Sequence, residues 1–377
     1  MKIVTVVGAR PQFVKAAVVS RAFKQYRNDI DEIIVHTGQH YDKNMSEVFF
    51  EEMSIPKPQY NLGVGGGMHG KNTGRMLEKI ESVLCDEKPD YLLVYGDTNS
   101  TLAGALAAKK LHIKVIHIEA GLRSNNMKMP EEVNRILTDK LSDILFCPTI
   151  EAVENLAKEN VLENVHQVGD VMKDSVVHFS KVAKKPKFDL PKNFILMTLH
   201  RQENTDFKER MESIASAINK IHQKLPIVLP VHPRTRQYIK KYNLNFDVIL
   251  IDPVGYLEMM YLLDNSKIII TDSGGLQKEA FFFKKPCITL RDETEWIELV
   301  NCGSNTLVGA EKEKIIEENN NLQDNVSVLS DNTEQQNSSM YNMLDKIESL
   351  LSNGGMQENK NEANNNEENK NEPDNNE

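Results

Sequence analysis

The sequence predicts an α/β protein of two doubly wound parallel sheets facing a cleft, with a disordered tail at the C-terminal end. Three observations carry this. Short apolar runs alternate with amphipathic stretches along most of the 377 residues. The runs are rich in β-branched residues and nearly free of polar ones, as strands buried on both faces read. The chain is also longer than one core usually supports. The alternation restarts at Phe194, after a Lys-Lys-Pro-Lys run. A first domain is therefore expected over 1–170, a linker over 171–191 that starts as a helix, and a second domain over 192–337. A helix over 338–352 is expected to pack back on the first domain. The Asn/Glu tract of 353–377 cannot bury a core and is expected to be disordered.

Composition narrows the function. Hydrophobic content of 40% and 27% charged residues are those of an ordinary soluble protein. Of the formal charge of −10, half comes from Gln357 onward, where seven acids meet two lysines. The folded part is thus only mildly acidic, which argues against a nucleic-acid or polybasic membrane surface. Cys85, Cys147, Cys287 and Cys302 are scattered, without a pairing pattern, as reduced thiols in a cytoplasmic protein would be. No apolar run approaches a membrane span of ~20 residues, and Met1 leads straight into the first strand.

In chain order, Lys2 to Val7 is a strand, and Gly8-Ala9-Arg10-Pro11 opens a helix to about Phe23. Arg10 at the turn and Lys15 one turn on make, with the helix N-terminus, an anion site. Glu32 to His36 is the second strand and runs into Thr37-Gly38-Gln39-His40, polar groups suited to sugar or phosphate. Gly65-x-Gly67-x-x-Gly70 matches a dinucleotide fingerprint but follows no buried strand, so an NAD site is rejected in favour of a loop closing over ligand. A helix follows over Lys71 to Cys85, with Met76, Ile80, Val83 and Leu84 on one face. Tyr91 to Tyr95 and Val115 to Ile118 are strands, each ending on an acid, Asp97 and Glu119. Glu131 opens the next helix. Three acids at one strand edge are costly unless something cationic or reactive uses them. Ser142 to Cys147 and Val165 to Val168 complete the first set of strands around a helix from Thr149 to Lys158.

The second set starts with Phe194 to Leu199, which ends on His200-Arg201. Ile227 to Val231 ends on His232, and Val248 to Ile251 precedes a helix over Tyr256 to Leu263. Lys267 to Ile270 leads into Asp272-Ser273-Gly274-Gly275, whose free N–H groups and Ser273 hydroxyl suit a phosphate. Glu279, one turn along, is placed for vicinal hydroxyls. Past Val308 a helix is expected over Glu311 to Glu318, then a polar stretch to Asn337. His117 reads as a core residue. No three histidines have metal spacing, so neither a metal nor a cofactor is expected. From the residues alone the reading is an anionic ligand handled by acid/base chemistry.

The residues quoted resemble the non-hydrolysing UDP-N-acetylglucosamine 2-epimerase family. The matching pieces are Gly8-Ala9-Arg10-Pro11 with Lys15, Gly38-Gln39-His40, Gly96-Asp97-Thr98, His117-Ile118-Glu119-Ala120-Gly121-Leu122-Arg123 and Pro130-Glu131-Glu132-Val133-Asn134-Arg135. His200-Arg201, His232-Pro233, Asp272-Ser273-Gly274-Gly275, Gln277 and Glu279 continue them in order. The resemblance implies a glycogen-phosphorylase-like (GT-B-like) pair of Rossmann-like domains, usually dimeric, with UDP in the cleft. It implies that the C2 proton of a UDP-sugar is removed as UDP leaves C1, giving a glycal to which UDP re-adds. Asp97, Glu119, Glu131 and His200 are then the catalytic candidates. Arg10, Lys15, Gln39, His40, Arg123, Arg135, Arg201, His232, Ser273, Gly274, Gly275 and Glu279 are the substrate- and UDP-binding candidates.

Two departures bear on the substrate. Thr294-Glu295-Trp296-Ile297-Glu298 stands where hexosamine epimerases usually read Thr-Glu-Arg-Pro-Glu, and resembles the branch acting on UDP-2,3-diacetamido-2,3-dideoxyglucuronate. A uronate carboxylate could then recruit Arg123 or Arg201. Gln39-His40-Tyr41-Asp42 also departs from the Gln-His-Arg of the substrate-activated members. The rival readings are a UDP-N-acetylglucosamine 2-epimerase, a glycosyltransferase of the same fold and an inactive UDP-sugar sensor.

Overall fold

A computed structural model describes residues 1–27, 29–38, 53 and 55–325. Gln39, His40, the helix expected over 338–352 and the tail lie outside the described residues.

Two parallel sheets carry the fold, as the alternating pattern predicts. The first contains β1 (Lys2–Val7), β2 (Asp31–His36), β3 (Tyr60–Asn61), β4 (Tyr91–Tyr95), β5 (Lys114–Ile118), β6 (Ile144–Cys147) and β7 (Val165–Gln167), in the order β3-β2-β1-β4-β5-β6-β7. The helices between them are α1 (Arg10–Tyr26), α2 (His69–Glu87), α3 (Asn99–Lys110), α4 (Pro130–Leu141) and α5 (Ile150–Lys158). Helix α6 (Val171–Phe179) leads away from β7. The second sheet contains β8 (Ile195–Thr198), β9 (Ile227–Pro230), β10 (Ile249–Ile251), β11 (Ile268–Thr271), β12 (Cys287–Thr289) and β13 (Asn305–Leu307), in the order β10-β9-β8-β11-β12-β13. Its helices are α7 (Gln202–Thr205), α8 (Lys208–His222), α9 (Pro233–Tyr242), α10 (Tyr256–Asn265), α11 (Gly274–Phe282), α12 (Ile297–Asn301) and α13 (Lys312–Asn325).

Strand order decides where a site can form. Each sheet reverses direction once, between β1 and β4 in the first and between β8 and β11 in the second. Ligands bind in the crevice that opens there, beyond the carboxyl ends of the strands. Gly8 to Arg10 and Asp97 follow β1 and β4, while His200-Arg201 and Ser273-Gly274-Gly275 follow β8 and β11. The scattered motifs therefore sit at two switch points.

After β7 the chain forms α6, as the sequence reading has it, and Phe179, Phe188, Leu190 and Tyr256 join one apolar cluster with strands of both sheets, the rings of Phe179 and Tyr256 meeting edge-on at 5.4 Å. One expectation is corrected. Helix α13 continues past Glu318 to Asn325, because Ile315, Ile316 and Leu322 pack on the α8 side of the second core.

Candidate active site

The first half of the site is built where β4 and β5 end. Gly96 has a φ of +61°, and a Cβ on it would lie 2.9 Å from Glu119 Oε2 and 3.8 Å from Lys15 Nζ. The turn that presents Asp97 thus passes directly over Glu119 and Lys15, which form a buried ion pair. Glu119 holds a left-handed backbone at φ +75°. Such strain costs about 1–3 kcal/mol for a residue with a side chain and persists where the surroundings fix it. Here the N–H groups of Glu119 and Ala120 both donate to the Phe146 carbonyl, at 3.0 and 3.1 Å. Burial pushes the Glu119 carboxyl above its usual range; Lys15 pulls it back, and Asp170 and Asp97 push it up again.

Asp97 is held from α4. Its Oδ2 accepts from Arg135 Nε at 3.1 Å and pairs with Nη2 at 2.9 Å, and its carbonyl accepts from Asn134 Nδ2 at 2.8 Å. Of the two acids that open α4, Glu132 is structural: it accepts from the N–H groups of Ser124 and Asn125 and pairs with Arg135. Its neighbour Glu131 acts on Arg201 across the cleft.

His117 lies in the core, as the sequence reading has it, and Arg123 is placed differently from its reading as a substrate-binding residue. His117 is fully buried, as a core residue would be, yet both ring nitrogens are engaged. Nε2 donates to the Gly96 carbonyl at 2.8 Å, and Nδ1 lies 2.7 Å from Asp139 Oδ1. It therefore fixes the turn that carries Asp97. Arg123 is not brought to the cleft. Its guanidinium pairs with Asp139 at 2.8 Å and with both oxygens of Glu159 at 2.6 and 2.9 Å, and donates to the Leu122 carbonyl.

The second half is organised by Asp272, fully buried beyond β11. It accepts from the N–H groups of His200 and Arg201 at 3.0 and 2.9 Å and from Asn204 Nδ2 at 3.2 Å. This fixes the turn after β8, leaving the His200 ring half-exposed 5.6 Å from that of His232. His232 itself caps α9 by accepting from Arg234 N at 3.2 Å. Ser273 caps α11 by accepting from Leu276 N. Gly274 and Gly275 form its first turn, and Glu279 lies buried one turn further.

Sequence reasoning overlooked Glu295. A Cβ on Gly274 would lie 2.4 Å from its Oε1, so the carboxylate stands against the N-terminus of α11. It bonds Arg291 Nη1 at 2.9 Å. Burial works against its charge, but Arg291, Arg135 and Arg201 hold it down to about 2. Arg201 in turn is buried against its own charge and supported by Glu295 and Glu131. Arginines from both sheets thus share one carboxylate. Arg10 opens α1 at the neighbouring switch point.

Two Rossmann-like domains of the GT-B type define the class of fold, with carboxylates on one lip of the cleft and arginines around a helix N-terminus on the other. The UDP-N-acetylglucosamine 2-epimerase family model matches residues 22–348, and the chain belongs to that family. It is 59% identical over 322 residues to the UDP-2,3-diacetamido-2,3-dideoxy-D-glucuronate 2-epimerase of Pseudomonas aeruginosa, covering 84% of this chain and 91% of that one. It is 56% identical over 330 residues to a UDP-N-acetylglucosamine 2-epimerase homolog of Methanococcus maripaludis, with the same coverage of 84% and 91%. The crystal structure of the Methanocaldococcus jannaschii UDP-GlcNAc 2-epimerase with UDP-GlcNAc and UDP superposes with a TM-score of 0.85 at 42% identity, covering 93% of this chain and all of that one.

Proposed function

We propose that this protein inverts C2 of a UDP-2-acetamido sugar without a cofactor, and that its substrate is UDP-2,3-diacetamido-2,3-dideoxyglucuronate. One observation carries the chemistry: Glu119 lies under Gly96 in a buried pair with Lys15, and the turn that Gly96 opens carries Asp97, held by Arg135, directly above them. The C2 proton is not next to a carbonyl, so a carboxylate removes it only as the C1–O bond breaks and positive charge grows at C1. The C2–H electrons become the C1=C2 bond of a glycal, and UDP leaves with the C1–O pair. A second carboxyl returns a proton to the opposite face of C2, and the UDP oxygen re-forms its bond to C1. Two carboxyls whose surroundings differ suit the two proton roles.

The departing diphosphate gains charge, which Arg135, Arg201 and the N-terminus of α11 stabilise. His200, on the turn fixed by Asp272, stands beside that charge. Arg10, Gln39 and His40 are assigned to the same anion from their places in the sequence. The uronate reading is supported by the 59% identity to the Pseudomonas enzyme. With Arg123 engaged beneath the site, Arg201 is the cation left from the two first considered for the sugar carboxylate. A second substrate, UDP-N-acetylglucosamine, is favoured by the Methanococcus and Methanocaldococcus relatives. We assign the protein to the cytoplasm as a homodimer serving polysaccharide assembly; among the described residues no helix is long and apolar enough to cross a membrane.

The test is NMR of a panel of UDP-sugars incubated with the enzyme in heavy water. Deuterium at C2 with inversion of the diacetamido-uronate is the expected result. Inversion of UDP-N-acetylglucosamine alone would move the assignment to the second substrate, and sugar transfer without C2 exchange would replace the reading with a glycosyltransferase.

A further inference from the structure

Trp296 is the only tryptophan of the chain and has no part in the proposed reaction, yet it is 4% exposed and lies between the two halves. On the second half its indole is tied to α11. Nε1 donates at 3.0 Å to the carbonyl of Gly274, the first residue of that helix. Lys278 Nζ, one turn along, stands 4.3 Å from the ring centroid and 3.5 Å from Asp170 Oδ2 of the first half. The backbone N–H of Trp296 donates to Thr294 Oγ1 at 3.2 Å, and that hydroxyl donates to Gln277 Oε1 at 2.8 Å. Asn305 Nδ2, on β13, donates to the same Gln277 oxygen at 3.0 Å.

The rest of the ring is apolar, and the first half supplies most of its surroundings. Trp296 joins one buried cluster with Ala120, Leu122, Leu145, Cys147, Ala152 and Leu156. Ala120 and Leu122 lie on the turn that starts at Glu119, and that turn has no slack. Glu119 and Ala120 both donate to the Phe146 carbonyl. Gly121 holds a φ of +81°, and a Cβ on it would lie 2.3 Å from the Ala152 carbonyl oxygen. Asn155 Nδ2 donates to the Gly121 carbonyl at 3.1 Å. Next to Trp296 in sequence, Glu293 accepts from Asn126 Nδ2 of the first half.

A buried tryptophan brings a large apolar area and an N–H that needs a partner, and only two torsions set its plate. Close-packed interiors pass a displacement on instead of absorbing it. The proposed reaction makes such a spacer useful. The C1–O bond breaks toward a diphosphate on the second half while the C2 proton leaves toward a carboxylate on the first, and a misplacement of about 1 Å costs such a step about 10²-fold. We infer that Trp296 is a positioning residue whose ring holds the N-terminus of α11 at a fixed spacing from the turn that carries Glu119. This rests on the reading of those two places as the diphosphate seat and a proton-transfer group. Trp296 therefore acts on the chemical step and leaves the affinity for UDP nearly unchanged, a division that a residue serving stability alone does not produce.

The test uses full-length protein and two substitutions. Trp296→Phe keeps an apolar plate and removes the N–H, and Trp296→Leu removes the plate as well. Inversion is followed with UDP-2,3-diacetamido-2,3-dideoxyglucuronate and with UDP-N-acetylglucosamine, UDP affinity is measured by calorimetry, and a melting curve accompanies each sample. The value of kcat should fall about 10-fold in Trp296→Phe and about 100-fold in Trp296→Leu, with UDP affinity moving less than about threefold. Trp296→Leu leaves the larger hole and is the variant more prone to unfold, so Trp296→Phe decides the matter if it does. Leu122→Ala opens the same cluster from the first half. Combined with Trp296→Phe it should cost little more than the worse single change, whereas independent effects would multiply. Parent-like kcat in folded Trp296→Phe, a loss carried wholly by UDP affinity, or multiplying effects in the double variant overturns the inference while the proposed function stands. A parent protein that inverts neither sugar overturns the proposed function, and the inference falls with it.

Discussion

The two lips of the cleft solve different problems with the same strand-turn-helix unit. After β4 and β5 the first sheet presents carboxylates, and it brings them together through strain and burial: Glu119 at φ +75°, and Gly96 laid over its ion pair with Lys15. After β8 and β11 the second sheet presents N–H groups and arginines around a buried acid, with Asp272 fixing one turn and Ser273 capping the next. Proton transfer needs groups whose protonation can change, so burial works for it. Anion binding needs charges that do not change, so each arginine is tied to an acid. The lips should therefore fail differently when they are altered.

The largest effect is expected on the lip proposed for proton transfer. Lys15→Met leaves Glu119 buried without its cation, and C2 epimerisation should fall about 10³-fold or more, with much weaker loss of UDP binding measured calorimetrically. Equal loss in both would erase the division between the lips. On the other lip, Glu295→Gln leaves Arg291, Arg135 and Arg201 sharing a neutral amide and should destabilise the fold by about 3–5 kcal/mol, read from denaturant unfolding. The same carboxylate gives a pH signature. Its folded value of about 2 lies below the unfolded one, so its stabilisation is present above the unfolded value and is lost as pH falls toward 2. Glu295→Gln should flatten that acid limb of the stability curve.

Gly274→Ala tests the anion cradle at smaller cost. The added methyl meets Glu295 Oε1 and must displace it, so UDP affinity should drop about 10- to 100-fold, an order of 1–3 kcal/mol, while the Glu119 titration stays where it is. The smallest functional effect is expected from Arg123→Lys. It breaks a bidentate pair with Glu159 beneath the site and should lower stability by about 1–3 kcal/mol with the affinity for UDP and for the uronate unchanged. A selective loss of uronate affinity would return Arg123 to the cleft.

Much of this arrangement was legible because parallel sheets make strand ends informative. An acid following a short apolar run, as Asp97 and Glu119 do, has little choice but the crevice, and the Ser273-Gly274-Gly275 turn reads directly as a helix start. What stayed hidden depends on partners remote in sequence. Arg123 sits in a motif with Glu119, yet Asp139 and Glu159 draw it beneath the sheet edge. His117 lies in a strand, and nothing local shows that its ring reaches the carbonyl of Gly96. Glu295 reads as one of several acids in a polar turn until Arg291, Arg135 and Arg201 close around it. Lys278 looks like the exposed face of a helix, because the Trp296 ring and Asp170 that bury it come from another turn and the other sheet. Asn319, fully buried on α13, defeats a polarity reading in the same way.

The central claim is that Asp97 and Glu119 work on one C1–C2 bond. Solvent-deuterium incorporation at C2, followed for the parent protein and for Asp97→Asn and Glu119→Gln at equal UDP saturation, tests it most directly. One deuteron per inversion in the parent and none in either variant is the expected result. Wild-type exchange in either variant, or inverted product that keeps its original C2 hydrogen, would contradict it.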